Sequence, residues 1–181
     1  TLGQPMKLPK LHTRPLSQLA LTLSLWTGLA SSTVAQVYDL PTFRQQALEA
    51  LTLSLKATEG MVEVLESLKV PYCVASSAPR NKIEHCLRIA GLFSYFEGRI
   101  FSCYELGSWK PDPLVFLTAC RTYRIDVSDA LVVEDSVTGI QAAVAANIKV
   151  LGFGPAHRHA QLAAAGALPI ADMREVLTIF N

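Results

Sequence analysis

A pair of hydroxyls, an ammonium group and two adjacent carboxylates occur in the order Ser76–Ser77, Lys110, Glu134–Asp135 along this 181-residue chain. Each stands where an apolar run gives way to a polar turn. Pro71-Tyr-Cys-Val-Ala-Ser76 leads into Ser77-Ala-Pro-Arg-Asn81. Trp109-Lys-Pro-Asp-Pro113 follows the run Arg99-Ile-Phe-Ser-Cys103. The stretch Ala130 to Gly139 passes from an apolar run through both acids into an Ala-rich segment. Such runs are the pattern of buried parallel strands, and ligands gather at the carboxyl ends of those strands. Two neighbouring acids there repel each other unless something positive lies between them. A divalent cation with oxygen ligands is the simplest candidate. The hydroxyl and the lysine would then hold phosphate oxygens, and Glu134 and Asp135 the metal that neutralises the remaining charge. A plainer reading stands beside each residue. Ser76 can be an ordinary turn residue, Lys110 solvated, and the prolines around Asp112 a helix start. Asp135 or Ser136 can be a helix N-cap beside an acid that suits the helix dipole. The coincidence of all of them in one order favours the chemistry.

The elements that must position these groups alternate. Strands are expected at 71–76, 99–103, 131–134, 149–153 and 168–170. Helices are expected at 41–56, at 61–68, from the turn after Ser76 to about Ala90, after Pro113, from Val137, over 160–165, and over 173–180. That order gives an α/β protein with a mainly parallel sheet. Half the residues are hydrophobic and the net charge is +1, which suits one domain with a sizeable core and excludes a general nucleic-acid binder. Cys73, Cys86, Cys103 and Cys120 form no C-x-x-C pair and read as reduced, buried thiols of a cytoplasmic protein. His157 and His159 lack further ligands nearby in sequence and read as solvated. No G-x-G-x-x-G is present. A receiver domain would carry its acids first and its lysine last, the reverse of this order.

All fifteen acids lie from Asp39 onward. Residues 1–14 are basic, Pro-rich and read as a disordered lead. Residues 15–35 allow three readings. One is a secretory signal starting at Met6 and ending at Ala35, which would make the protein exported. The second is a strand in which Leu19, Leu21, Leu23 and Leu25 alternate with small residues. The third is part of a helical cap over 15–57. The apolar stretch is too short and too rich in Ser and Thr to span a membrane comfortably.

Ser76, Lys110-Pro-Asp-Pro113 and Glu134-Asp-Ser-Val-Thr-Gly139 together resemble the second, third and fourth motifs of the haloacid dehalogenase superfamily. The likeness is to its β-phosphoglucomutase-like and sugar-phosphate phosphatase branch, and it covers about Gly60 to Phe180. It implies a Rossmannoid parallel sheet with helices on both faces over 58–181 and a partial helical cap before it. It also implies a Mg²⁺-dependent phosphatase or phosphoglucomutase-like protein acting on a small phosphorylated metabolite such as a sugar phosphate. Ser76 and Ser77 would bind phosphate, Lys110 would stabilise phosphate and nucleophile, and Asp135 would ligate Mg²⁺ with Glu134 ligating it or holding a bound water.

The same resemblance places an Asp-x-Asp strand before the cap, supplying the nucleophile and the general acid/base. No acid precedes Asp39, and Asp39 itself, in Val37-Tyr-Asp-Leu-Pro41, reads as a helix cap. The covalent route is therefore closed to the residues given, and the chain is expected to be inactive and to hold Mg²⁺ weakly. That strand would be central, between those ending at Ser76 and Glu134. Its loss leaves backbone groups unpaired at about 1–3 kcal/mol each. Either another segment fills the place, Leu19–Leu25 being the candidate, or the chain is a fragment. A phosphate- or partner-binding module without catalysis is the alternative function.

Overall fold

The computed structural model describes residues 55–179. Among them the element order is α1 (Met61–Ser67), β1 (Val74–Ser76), α2 (Arg80–Ile89), α3 (Phe93–Phe96), β2 (Ile100–Ser102), α4 (Cys103–Leu106), α5 (Leu114–Tyr123), β3 (Leu131–Glu134), α6 (Val137–Ala145), β4 (Lys149–Phe153), α7 (His159–Ala164) and β5 (Leu168–Ile170). Short 3-10 turns precede β3 and α7, and a longer one, Met173–Ile179, stands where the sequence predicts a closing α-helix. The Glu175 carboxylate there accepts from the backbone N–H groups of Ala171 and Asp172, which ties the start of the segment to the turn before it. The expected readings of residues 1–14, 15–35, 19–25 and 41–54, and of Asp39, lie outside the described residues.

All strand pairs are parallel, in the orders β1–β2 and β3–β4–β5. The expected single sheet is thus in two parts among the described residues, with β1 and β3 unpaired to each other. Side chains of successive strand residues point to opposite faces, and each face has its own core. Val74, Ile100, Leu151 and Ile170 pack with α1, α2 and Met173 on one side. Val150 packs with Val115, Phe116, Ile140 and Leu162, from α5, α6 and α7, on the other. The α/β arrangement with helices on both faces is the one the sequence predicts. Ala142 and Ala143 are fully buried, so α6 lies close against the sheet. No helix among the described residues is long and apolar enough to cross a membrane.

Candidate active site

Because the strands are parallel, their carboxyl ends open on one edge, and the predicted polar residues lie there. Ser76 ends β1 with 2% of its surface exposed. Its Oγ accepts from the backbone N–H of Ala78 at 3.1 Å, which folds the turn back and leaves the hydroxyl proton free to donate. Ser102, at the end of the neighbouring β2, donates to the Ala78 carbonyl at 2.7 Å and fixes the same turn from the other side. Ser77 is half-buried, with its Oγ 3.9 Å from the Cys103 thiol.

Lys110 is buried. Its Nζ donates to the Ala75 carbonyl at 3.1 Å and forms an ion pair with Glu134 Oε1. The ammonium also lies 4.9 Å from the centre of the Phe116 ring. The positive group beside Glu134 is therefore this lysine, reaching across from β1 to β3. Glu134 is 1% exposed, and its second oxygen accepts from Ser136 Oγ at 3.0 Å. Ser136, rather than Asp135, is the N-cap of α6: its Oγ accepts from the Gly139 N–H at 3.0 Å. Replacing Ser136 by Ala is expected to cost about 1 kcal/mol of unfolding free energy in urea titrations.

Gly139 is required by the same carboxylate. A Cβ at that position would lie 2.1 Å from the Glu134 carboxyl group. Gly139→Ala is therefore expected to displace a side chain that has no room to move, at about 1–3 kcal/mol. Chemical denaturation would measure this, and a loss below that of an exposed Gly→Ala change would show that the helix start can yield.

Asp135 differs from its neighbour. It is 9% exposed, and its Oδ1 is buried with no hydrogen-bond partner. Burial, then the adjacent Glu134 charge, push its carboxyl up from an ordinary 3.8 to about 7, while Arg158 and Lys110 pull the other way. A carboxyl oxygen held dry and unpartnered is what an oxygen-seeking cation would complete. Asp135 thus fits a metal, whereas both oxygens of Glu134 are engaged by Lys110 and Ser136. Among the described residues no group of three or more His, Cys, Asp or Glu side chains is gathered to hold a metal by itself.

Arg158 was not picked out by the sequence pattern. It follows β4, and its Nη2 donates to the Asp135 carbonyl at 2.8 Å, pinning the β3 end from the next strand over. Applying the strand-end rule to β4 as well would have drawn attention to residues 154–158. His159 Nε2 lies 2.9 Å from the Gly154 carbonyl within the same loop, and His157 is exposed.

The model of the haloacid dehalogenase-like hydrolases matches residues 20–147. The chain belongs to this family. As a haloacid dehalogenase-like hydrolase it is 31% identical over 121 residues to 6-phosphogluconate phosphatase of Escherichia coli, covering 67% of this chain and 55% of that protein. It is 34% identical over 121 residues to validoxylamine A 7'-phosphate phosphatase of Streptomyces hygroscopicus, covering 65% and 56%. The chain spans about half the length of these curated relatives. Solved structures that resemble it include a haloacid dehalogenase-like protein from Agrobacterium tumefaciens, with a TM-score of 0.71 at 28% identity over 82% of this chain and 72% of that one. A putative β-phosphoglucomutase from Thermotoga maritima gives 0.69 at 25% identity over 79% and 70%.

Proposed function

We propose that these residues form the phosphate- and metal-holding half of a phosphomonoester hydrolase for small phosphorylated, sugar-like metabolites, with Mg²⁺ as cofactor. The observation that carries this reading is the buried, unpartnered Asp135 Oδ1 at the same sheet edge as Ser76 and Lys110. The relatives' phosphatase names support the substrate class.

Ser76 donates its free hydroxyl proton to a phosphate oxygen, while the Ala78 N–H fixes where that hydroxyl points. Ser77 lines the same turn and offers a second hydroxyl. The Lys110 ammonium retains a proton beyond those shared with Ala75 and Glu134, and it directs that proton and its charge to the phosphate. Glu134 holds Lys110 in place through their buried ion pair, and by the family resemblance it would lie beside the metal. Asp135 would offer its Oδ1 to the metal, and Arg158 holds the backbone that carries it. When bound, Mg²⁺ supplies neutralisation of charge on the phosphoryl oxygens. The resemblance assigns nucleophile and acid/base to an Asp-x-Asp strand, and no acid precedes Asp39. The residues 1–181 by themselves therefore bind phosphate without turning over an ester. Their four cysteines are free thiols, three of them buried, which supports a reducing, cytoplasmic setting.

Inorganic phosphate with Mg²⁺ is expected to raise the melting temperature of the purified chain, and Asp135→Asn to abolish the Mg²⁺ increment while leaving part of the phosphate effect. No hydrolysis of p-nitrophenyl phosphate is expected. Mg²⁺-dependent turnover lost on Asp135→Asn would overturn the inactivity, and no response to phosphate would overturn the site. An exported protein would instead show a mature N-terminus at Gln36.

A further inference from the structure

The parallel ladder of β1 on β2 ends at the pair Ser76–Ser102. Beyond it, side chains tie the turn that follows β1. The Ser102 hydroxyl, 1% exposed, donates to the Ala78 carbonyl at 2.7 Å. The Ser77 hydroxyl meets the Cys103 thiol at 3.9 Å. Arg80 Nη2 donates to the Ile100 carbonyl at 2.8 Å and to Glu105 Oε2 at 2.7 Å, while its Nε donates to Glu105 Oε1. Ser77, Ala78 and Arg80 are thus tied to one short stretch, 100–105, made of β2 and the start of α4. Arg80 is the cation nearest Ser76 in sequence, and a free guanidinium there would be a ready phosphate ligand. Two of its nitrogens are instead engaged by Glu105 in a two-pronged pair, which fixes orientation as well as distance. Both side chains are open to solvent, 40% and 44% exposed, where an ion pair adds little to stability. What the pair does set is the place of the turn.

We propose that 100–105 is a brace for the phosphate turn, with Ser102 and the Arg80–Glu105 pair as positioning residues that aim the Ser76 and Ser77 hydroxyls, and with Arg80 acting through Glu105 rather than on the phosphate itself. The chain of contacts is short. Ser102 holds the Ala78 carbonyl, and the N–H of the same residue holds Ser76 Oγ at 3.1 Å. A shift of Ala78 therefore moves the Ser76 hydroxyl directly. Arg80 anchors the far end of the turn, where α2 begins, to the Ile100 carbonyl and to α4. A hydroxyl already fixed in its bound direction binds more tightly than one that must be ordered on binding. The affinity for a phosphoryl group thus depends on residues that never touch it. The inference rests on the phosphate role given above to Ser76 and Ser77. The bracing itself is a property of the free chain and is read there without phosphate.

The test compares the full chain with Arg80→Ala, Glu105→Ala, the double variant of these two, and Ser102→Ala. Titration with inorganic phosphate gives the affinity, and hydrogen exchange read by NMR follows the Ala78 amide in the free chain. Arg80→Ala and Glu105→Ala are each expected to weaken phosphate binding about three- to tenfold, the worth of an ordinary hydrogen bond, and to hasten Ala78 exchange. The two change the net charge in opposite directions, so a loss in both cannot come from electrostatic attraction of the anion. The double variant should bind no worse than either single one, because both remove the same tie. Melting should hardly move for this exposed pair, and stabilisation by Mg²⁺ alone should not change, as a general loss of structure would require. Ser102→Ala should weaken phosphate as much and also lower the melting temperature, its hydroxyl being buried. Tighter binding by Glu105→Ala with weaker binding by Arg80→Ala would make Arg80 a phosphate ligand and overturn the proposal. So would unchanged affinity in both, or Ala78 exchange as slow in every variant as in the natural chain. A natural chain that binds no phosphate would sink the hydrolase reading, and Ala78 exchange would still decide for or against the brace.

Discussion

Lys110→Met is expected to lower the stability of this chain by about 3–5 kcal/mol at neutral pH, because it removes the ammonium partner of the Glu134 carboxyl group in a place where that group is 1% exposed. The methionine fills most of the lysine's volume, so the loss is one of charge rather than packing. The Ser136 hydroxyl continues to donate to Glu134, but one neutral hydrogen bond does not replace an ammonium. Glu134→Gln should cost less. The Lys110 ammonium keeps the Ala75 carbonyl and the Phe116 ring as partners, and the amide keeps a carbonyl oxygen to receive it. The decisive comparison is the double variant Lys110→Met with Glu134→Leu. Replacing both members of a buried pair by apolar groups is often neutral or stabilising, so the double variant should recover most of the stability lost by Lys110→Met. Urea titrations of the two single variants and the double variant measure this as a coupling free energy. A double variant as unstable as Lys110→Met alone would mean that the pair also holds the β1 and β3 ends together, in which case the Ala75–Lys110 bond carries that role.

The polar residues of the site were legible because a parallel sheet turns a sequence pattern into a place. Ser76, Glu134 and Asp135 each end an apolar run, and such runs end on one edge. The faces of the sheet were legible for the same reason, with Val74 and Ile100 on one side and Val150 on the other. What escaped depends on contacts between residues distant in sequence. Nothing near Glu134 tells that Lys110 lies against it, because 24 residues and two elements separate them. Arg158 reaches Asp135 only through the register of β3 on β4. The choice between Asp135 and Ser136 as helix cap turned on which side chain faces the Gly139 N–H, and both residue types serve equally well in isolation. The short helices Phe93–Phe96 and Cys103–Leu106 were not predicted. Each is a single turn, too short to show the 3.6-residue periodicity by which longer helices announce themselves.

Asp135→Asn is expected to stabilise the metal-free chain at pH 8 by up to about 4 kcal/mol and to change it little at pH 4. The folded chain holds the Asp135 proton up to about pH 7, whereas the unfolded chain releases it near 3.8. Between those values the folded state binds the extra proton, so this group's contribution falls as pH rises, at about 1.4 kcal/mol per pH unit, and levels off above pH 7. That is the reverse of a salt-bridged aspartate, whose contribution is lost as pH falls. The causes agree with the sign: burial and the Glu134 charge both oppose ionisation, and Arg158 and Lys110 only partly offset them. Asparagine keeps the shape without the charge, so it removes the dependence on pH in that window. Mg²⁺ provides an independent check, because a cation at Oδ1 favours the ionised carboxylate. It should stabilise the natural chain at pH 8 far more than at pH 5, and it should leave Asp135→Asn unmoved at either. Denaturation midpoints across pH 4–8, with and without Mg²⁺, test both statements. Should the natural chain instead grow more stable from pH 4 to pH 7 relative to Asp135→Asn, the carboxylate is partnered in solution and is not poised for a metal.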